Sequence, residues 1–227
     1  MRGIGASILV LAYCLANGGA AQVKNSTKEK EPEFKGRTLS QWVEQLKSGG
    51  AYERQEAVLA LHELGPGAVP ALAEALLKEK EVVNVRIWAA WGLRLNGPAA
   101  KAAVPQLKAA LQDDFYAVSI EAAKALWVIS KDKTAIPSVL KYLKSKDAGI
   151  RWFAAEHLGW FGPSAKEAVP ALLEALKDTG VVEMTDKGKV VGGKRVQRIV
   201  EIRSVKAAAG KALKRIDPEA AKKAGVK

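Results

Sequence analysis

The sequence predicts an all-α solenoid of about five helical hairpins, because a proline and a helix pattern both recur along a helix-favouring chain. Four prolines, each preceded by a β-branched residue, open segments rich in Leu, Val or Ala: Pro70, Pro105, Pro137 and Pro170. Their spacings are 35, 32 and 33 residues. A fixed period of this length is typical of paired helices that pack only against their neighbours. Proline also suits the first helical turn, where its missing N–H costs no hydrogen bond.

The second helix of each hairpin aligns on one anchor position. The five anchors are Arg54, Arg86, Ser119, Arg151 and Lys206. Each anchor is followed by Ala three residues later and by Leu seven residues later. These leucines are Leu61, Leu93, Leu126, Leu158 and Leu213. Small residues let helices approach closely and Leu fills the space between them, so we expect one continuous core. Gly-Pro pairs are expected to end three of these helices.

The last hairpin is interrupted. Its anchor follows the fourth one by 55 residues, against 32 or 33 for the earlier steps, so about 22 residues are inserted. Val181–Thr185 and Lys189–Val191 flank the turn Asp186-Lys187-Gly188, a pattern that predicts a short β-hairpin. Apolar residues at helical spacing after it predict that the last helix starts early, near Lys194.

The N-terminal 21 residues have the composition of an export signal. Arg2 precedes a short apolar run, Ile8 to Ala16, and small residues follow it at 18–21. A run of about nine apolar residues is too short to cross a bilayer as a helix. A buried N-terminal helix is the alternative reading. We therefore expect export to the periplasm or the extracellular space, with no transmembrane segment in the mature chain.

Composition divides the remaining chain into three parts. Residues 22–36 are polar and charged and are expected to form a flexible leader. The solenoid is expected over 37–216, with the insertion at 179–200, and a tail follows over 217–227. Cleavage of the signal would remove Cys14, which is the single cysteine. The mature protein would then have no disulfide and no thiolate.

The repeated units resemble HEAT repeats of the bilin-lyase-like type. The phrase that carries the resemblance is Gly-Pro-x-Ala-x-x-Ala-Val-Pro-Ala-Leu, and the likeness covers roughly residues 38–216. It implies a right-handed, curved stack that binds partners, with the second helices on its concave side. An export signal, a charged leader and such repeats together resemble extracytoplasmic bacterial HEAT-repeat proteins. The resemblance also implies that Asp147, in a turn, pairs with Arg151.

Tryptophans mark the predicted binding surface. Five of the six lie in second helices: Trp88, Trp91, Trp127, Trp152 and Trp160. At 100° per residue they fall within an arc of about 80° to 200° from the anchor, opposite the Ala/Leu stripe. Ile87, Ile120 and Phe153 share this arc, so the sequence predicts an apolar strip on the concave wall that contacts a protein or peptide partner. Trp88 and Trp91 are expected to be partly accessible. Burial between neighbouring repeats is the alternative, and Trp42 is expected in the core.

The net charge of +12 is concentrated at the C-terminal end. From Lys187 onward there are 13 Lys and Arg against 3 Asp and Glu. Six of these cations form a predicted basic patch: Lys187, Lys189, Lys194, Arg195, Arg198 and Arg203. The patch suits an acidic partner or a polyanion, with a solvated end cap as the alternative. Nucleic acid is disfavoured because no aromatic residue follows Phe161 and bases would find no stacking partner. The patch and the tryptophans are expected in different regions.

The sequence contains no recognisable catalytic constellation. Deoxyhypusine hydroxylases of the HEAT class bind two irons with several His-Glu pairs, whereas this chain has His62-Glu63 and a reversed Glu156-His157. Both histidines are expected on the surface near helix ends. No Ser/His/Asp arrangement, phosphate loop or metal cluster is evident. We therefore predict a non-catalytic scaffold without metal or cofactor, with a lyase- or hydroxylase-like HEAT enzyme as the alternative.

Overall fold

The computed structural model describes residues 31–78, 82–185, 189–191, 194–196 and 199–227. Residues 32–227 form one compact unit. The predicted export signal and residues 22–30 of the predicted leader lie outside the described residues. Among the described helices, none is long and apolar enough to cross a membrane.

Five helical hairpins make up most of this unit, as the sequence predicts. Their paired helices are α1 (Leu39–Ser48) with α2 (Ala51–Glu63), α3 (Val69–Lys78) with α4 (Val83–Asn96), α5 (Val104–Ala110) with α6 (Tyr116–Ser130), α7 (Ala135–Leu140) with α8 (Ala148–Leu158), and α9 (Val169–Ala175) with α10 (Val205–Ile216). Short 3₁₀ segments join several of them, and α11 (Pro218–Lys223) follows the last hairpin. The second helices also pack against one another, α2 on α4, α4 on α6 and α8 on α10, so the fold is an α-solenoid.

The continuous core predicted from the Ala/Leu stripe is confirmed. The leucines at the seventh position, Leu61, Leu93, Leu126, Leu158 and Leu213, are all fully buried. Trp42 is also buried, as predicted, and its indole Nε1 donates a hydrogen bond to the Phe34 carbonyl at 3.1 Å. Burying each of these large side chains stabilises the fold by about 1.5–3 kcal/mol. The core therefore runs from the first hairpin to the last through the second helices.

The short β-hairpin predicted for the insertion is present, but its strands pair differently from the prediction. Strand β3 (Val181–Thr185) pairs antiparallel with β6 (Ile199–Ser204), whereas β4 (Lys189–Val191) pairs with β5 (Lys194–Val196). Strand β3 leaves α9 and β6 leads into α10. Pairing these two strands therefore closes the insertion at its base and keeps the two helices of the hairpin adjacent. Two further short strands, β1 (Glu33–Phe34) and β2 (Arg37–Thr38), precede α1.

The early start predicted for the last helix is also wrong. Helix α10 begins at Val205, and the Ser204 hydroxyl caps it by accepting a hydrogen bond from the Ala207 amide at 3.3 Å. The segment from Lys194 is in strands β5 and β6. Three apolar residues at helical spacing form too short a pattern to predict a helix reliably. The β-branched residues Val196 and Ile199 favour strands instead.

The ion pair implied for Arg151 has a different partner. The Arg151 guanidinium donates two hydrogen bonds to Asp178, from Nε to Oδ2 at 2.6 Å and from Nη2 to Oδ1 at 3.0 Å. These bonds hold the pKa of the Asp178 carboxyl below its ordinary value. Asp147 instead caps α8, because its Oδ1 accepts from the Ile150 amide at 3.0 Å. The arginine thus joins its own hairpin to the turn of the next one.

The second hairpin repeats this arrangement. Arg86 donates from Nε to Oδ2 of Asp113 at 2.8 Å and from Nη2 to Oδ1 at 3.0 Å. In the third hairpin, where Ser119 replaces the arginine, its hydroxyl donates to the Leu111 carbonyl at 2.8 Å. The Lys141 ammonium donates to the same carbonyl at 3.1 Å. The anchor position therefore ties helix ends together in each of these hairpins, and it is structural.

Candidate functional site

The five predicted binding tryptophans all reach solvent while they pack on the core. Trp88 and Trp91 on α4, Trp127 on α6 and Trp152 on α8 are partly exposed. The placement of Trp160 in a second helix is wrong, because it lies in the 3₁₀ segment after α8, where it is 39% exposed. The partial accessibility expected for Trp88 and Trp91 is therefore present in the structure. Whether these side chains contact a partner stays a prediction.

Ile120 does not belong to this exposed surface. It shares the predicted arc but is fully buried, whereas Ile87 and Phe153 are partly exposed. Helix α6 lies between α4 and α8 and packs on both. A side chain at the edge of the arc on α6 is therefore covered by a neighbouring helix. The angle around a single helix cannot reveal such cover.

Aromatic contacts organise the tryptophans into groups. Trp88 and Trp91 meet edge to face with ring centroids 5.3 Å apart. Phe161 lies 5.2 Å from Trp160 and 6.1 Å from Trp127, again edge to face. Such pairs hold the rings in defined orientations and contribute about 0.5–1.5 kcal/mol each beyond the area they bury. The exposed rings are therefore ordered before any partner binds.

A cluster of charged side chains lies among these rings, and the sequence reasoning missed it. Glu121 on α6 is its centre. Its Oε1 accepts a hydrogen bond from the Lys124 ammonium at 2.6 Å, and its Oε2 is 3.6 Å from Arg94 Nε. His157 Nε2 is 3.9 Å from Glu121 Oε1. We call Arg94, Glu121, Lys124 and His157 the charged cluster. It joins α4, α6 and α8.

A signal for the charged cluster was present in the repeat alignment. Glu121 and Lys124 lie two and five residues after the anchor of their helix, at the same offsets as Trp88 and Trp91 in theirs. Arg94 lies eight residues after its anchor, the offset of Trp127. The predicted strip therefore carries charges and tryptophans at equivalent positions, and it is mixed rather than apolar.

Cations lie over several of the tryptophan rings. The Trp160 ring centroid is 5.7 Å from Arg94 Cζ and 5.4 Å from Lys124 Nζ. Arg203 Cζ is 4.7 Å from the ring of Trp152. Contacts of this kind stabilise by about 0.5–2 kcal/mol, more where water is excluded. They link Trp160, after α8, directly to α4 and α6.

The predicted separation of the basic patch from the tryptophans is wrong, because Arg203 lies on Trp152. Strand β6 carries Arg203 to α8, and the guanidinium also pairs with Glu201 at 2.9 Å. A cavity of about 370 Å³ opens there between β6, α8 and α10. Three other members of the patch lie on strands: Lys189, Lys194 and Arg195. The last two, Lys187 and Arg198, are outside the described residues.

The family follows from comparison with known proteins. A model of HEAT repeats matches residues 39–126 and 104–184. The chain belongs to the HEAT-repeat family. No curated protein matches this HEAT-repeat protein.

The solved structures similar to it include the following three. An engineered protein is 21% identical, with 82% of this chain and 85% of that chain covered and a TM-score of 0.43. The complex of CpcE and CpcF of phycocyanin lyase from Nostoc sp. PCC7120 is 24% identical, over 86% and 70%, with a TM-score of 0.49. Human deoxyhypusine hydroxylase in complex with glycerol is 17% identical, over 82% and 87%, with a TM-score of 0.34. Identities this low show the fold alone.

These comparisons correct the prediction that the chain is not an enzyme. Two of the similar structures, the phycocyanin lyase and the deoxyhypusine hydroxylase, are enzymes. The prediction that the chain is not an enzyme is therefore not maintained. Within the described ranges, no three His, Cys, Asp or Glu side chains are grouped to hold a metal ion.

His157 is not the surface residue predicted from the sequence. Its ring stacks on Phe153 with centroids 4.0 Å apart, and Nδ1 donates to the Phe153 carbonyl at 2.8 Å. Burial and the Lys124 charge lower the pKa of the His157 imidazole below 6.5, against the opposing effects of Glu121 and Glu156. The neutral ring therefore presents the unprotonated Nε2 to the charged cluster.

This lowered pKa predicts a pH-dependent stability. The folded protein binds a proton at His157 less readily than the unfolded chain, so the free energy of unfolding decreases as pH falls below about 6.5. Urea unfolding of His157→Gln should show a weaker decrease between about pH 7.5 and 5.5 than the wild-type protein. An unchanged slope in His157→Gln would contradict the assignment.

Proposed function

We propose that this HEAT-repeat protein is a scaffold that binds a protein or peptide partner across the face formed by α4, α6 and α8. We call this the tryptophan face. It carries Trp88, Trp91, Trp127, Trp152 and Trp160. The observation that carries the proposal is that all five rings stay partly open to solvent although the core beside them has ample leucine and alanine. The resemblance to HEAT repeats implies that this face lies on the concave side of the stack, which supports the proposal.

Partly exposed, pre-ordered tryptophans favour binding. Trp is enriched among the few residues that carry most of the energy in protein interfaces. The rings of Trp88 and Trp91 already hold each other edge to face, so little side-chain freedom is lost when a partner covers them. Apolar indole surface is unfavourable in water, and a bound partner would cover that surface and remove the unfavourable contribution. The arrangement is therefore suited to a partner that covers several rings at once.

A second candidate function is supported by the C-terminal end. A cavity of about 680 Å³ lies between α9, α10 and the tail, and its lining includes Lys206, Lys211, Lys214 and Lys227 but no Asp or Glu. Leu176 and Val226 add apolar surface to it. This excess of cations suits a polyanion or an acidic partner, whose binding would weaken as salt screens the charges. Nucleic acid is the less favoured polyanion because the lining contains no aromatic residue.

We also propose that the protein acts after export, in the periplasm or outside the cell. The composition of residues 1–21 alone supports this placement.

Affinity capture from the source organism tests the tryptophan face. The mature chain should retain a specific partner that is lost with the double variant Trp88→Ala/Trp91→Ala and with Trp160→Ala. Trp160 is the more exposed ring, so its variant disturbs the core least. Tyr52→Ala removes an aromatic side chain that is 88% exposed on α2 and should retain the partner. The same partners captured by wild-type and tryptophan variants of equal helical content would refute the proposal.

A further inference from the structure

The charged cluster holds more positive than negative charge in a largely buried place. The side chains of Arg94, Lys124 and Glu121 are 19%, 9% and 13% exposed. His157 is neutral near pH 7, so two cations share one carboxylate. Glu156, the other carboxylate near His157, lines the cavity at β6 instead. A buried net positive charge is costly unless an anion neutralises it, so the charge of the cluster favours binding of one more anion.

Arg94 and Lys124 have N–H donors that make no hydrogen bond within the described residues. The Lys124 ammonium has three N–H groups, and Glu121 accepts one of them. The Arg94 guanidinium has five, and within the described residues it makes no hydrogen bond. Its Nε is buried and lies 3.6 Å from Glu121 Oε2, an ion-pair distance that exceeds a hydrogen bond, and Glu121 Oε2 is likewise buried without a hydrogen-bond partner. Unused donors on both cations are what an incoming anion requires.

Trp160 lies beside the two cations of the charged cluster. Its ring is within 6 Å of both cationic groups and is 39% exposed, so the ring itself is open to solvent on the tryptophan face. Arginine matches a carboxylate with two parallel N–H bonds, and lysine adds a point charge. The indole offers apolar surface to whatever carries the carboxylate.

We propose that Arg94, Lys124 and Trp160 form a subsite for a carboxylate of the bound peptide. The carboxylate is that of an acidic side chain or of the peptide's C-terminus, and an apolar neighbour packs on Trp160. This inference rests on the proposed function, because it names the chemistry by which the tryptophan face recognises its partner. In the absence of peptide, Glu121 is the single anion that contacts both cations. The peptide carboxylate would bind the same two cations as a second anion.

Three acetylated peptides of one apolar sequence test the subsite. The first, Ac-Ala-Leu-Leu-Gln-Ala-Leu, ends in a free carboxylate; the second has Glu in place of Gln and is amidated; the third is the amidated Gln peptide. Binding is followed through the indole N–H signals of the six tryptophans in the full mature chain. At least one carboxylate peptide should bind tenfold or more tightly than the neutral peptide and should shift the Trp160 signal. The peptide that does so identifies the source of the carboxylate.

Variants separate charge recognition from structural damage. Arg94→Gln and Lys124→Met should reduce the preference for the carboxylate peptide to less than about threefold. Glu121→Gln removes the competing internal anion and should strengthen carboxylate binding several-fold, whereas a disturbed fold would weaken it. Lys108→Gln, which removes a 51% exposed cation paired with Asp132, should leave the preference unchanged.

The outcomes distinguish this inference from the proposed function. Equal binding of all three peptides, or no binding of any, overturns the carboxylate subsite. So does a preference that survives Arg94→Gln, or a loss of affinity in Glu121→Gln. None of these results affects the capture experiment with Trp88→Ala/Trp91→Ala, which decides the tryptophan face independently.

Discussion

Leu126→Ala is expected to lower the free energy of unfolding by about 2–5 kcal/mol. Leu126 is the seventh-position leucine of α6, in the middle hairpin, and none of its side chain reaches solvent. Truncation leaves a cavity that the rigid surroundings fill only in part, because α6 packs on α4, α5 and α7 together. Urea denaturation followed by circular dichroism at 222 nm measures the change.

Leu59→Ala is the matched control. Leu59 lies on α2 and is 44% exposed, so its truncation removes less buried surface and leaves no enclosed cavity. Its expected loss is below about 1 kcal/mol. Similar losses for the two variants would mean that the leucine stripe is not the interior of the stack.

Asp113→Ala is expected to cost about 3–5 kcal/mol, because it takes the carboxylate from Arg86, a residue that is only 4% exposed. Two hydrogen bonds join Asp113 to Arg86, and a third, to the Phe115 amide at 2.9 Å, fixes the turn before α6. The variant therefore removes the carboxylate that two hydrogen bonds join to a buried arginine, and it loosens the link between two hairpins. The same denaturation experiment measures the loss.

Asp114→Ala controls for the loss of a negative charge at this turn. The Asp114 carboxylate is exposed, so the expected change in the free energy of unfolding is within about 0.5 kcal/mol. Replacing both partners in Arg86→Met/Asp113→Leu should recover much of the stability lost in Asp113→Ala, since no charge then stays buried. If Asp113→Ala and Asp114→Ala were equally stable, the ion pair would not hold the hairpins together.

Predictions based on a single helix were accurate where the helix itself decides the outcome. The Ala/Leu stripe and Trp42 are buried as expected, and the five tryptophans reach solvent. Each depends on the 100° step of the helix and on the proline period. Ile120 departs from this pattern because α4 and α8 both flank α6, and the angle around α6 does not include its neighbours.

Predictions that required a partner in another element were less accurate. The resemblance implies that Arg151 pairs with Asp147 in its own turn, whereas Arg151 binds Asp178 of the next hairpin. The sequence pattern pairs β3 with β4, the nearest strand in the chain, whereas β3 pairs with β6. In both cases the observed partner is more distant in sequence than the predicted one. Packing of the helical hairpins brings these distant residues together.

The amino-acid sequence by itself determined the helical period, the interior leucine and alanine stripe and the tryptophans opposite that stripe. These features follow from backbone geometry, which repeats locally along the chain. Only the tertiary structure decided that Arg94, Glu121, Lys124 and His157 meet beside Trp160. Their helices come from three hairpins, and their charges act on one another only because packing brings those helices within a few ångströms and keeps water largely out.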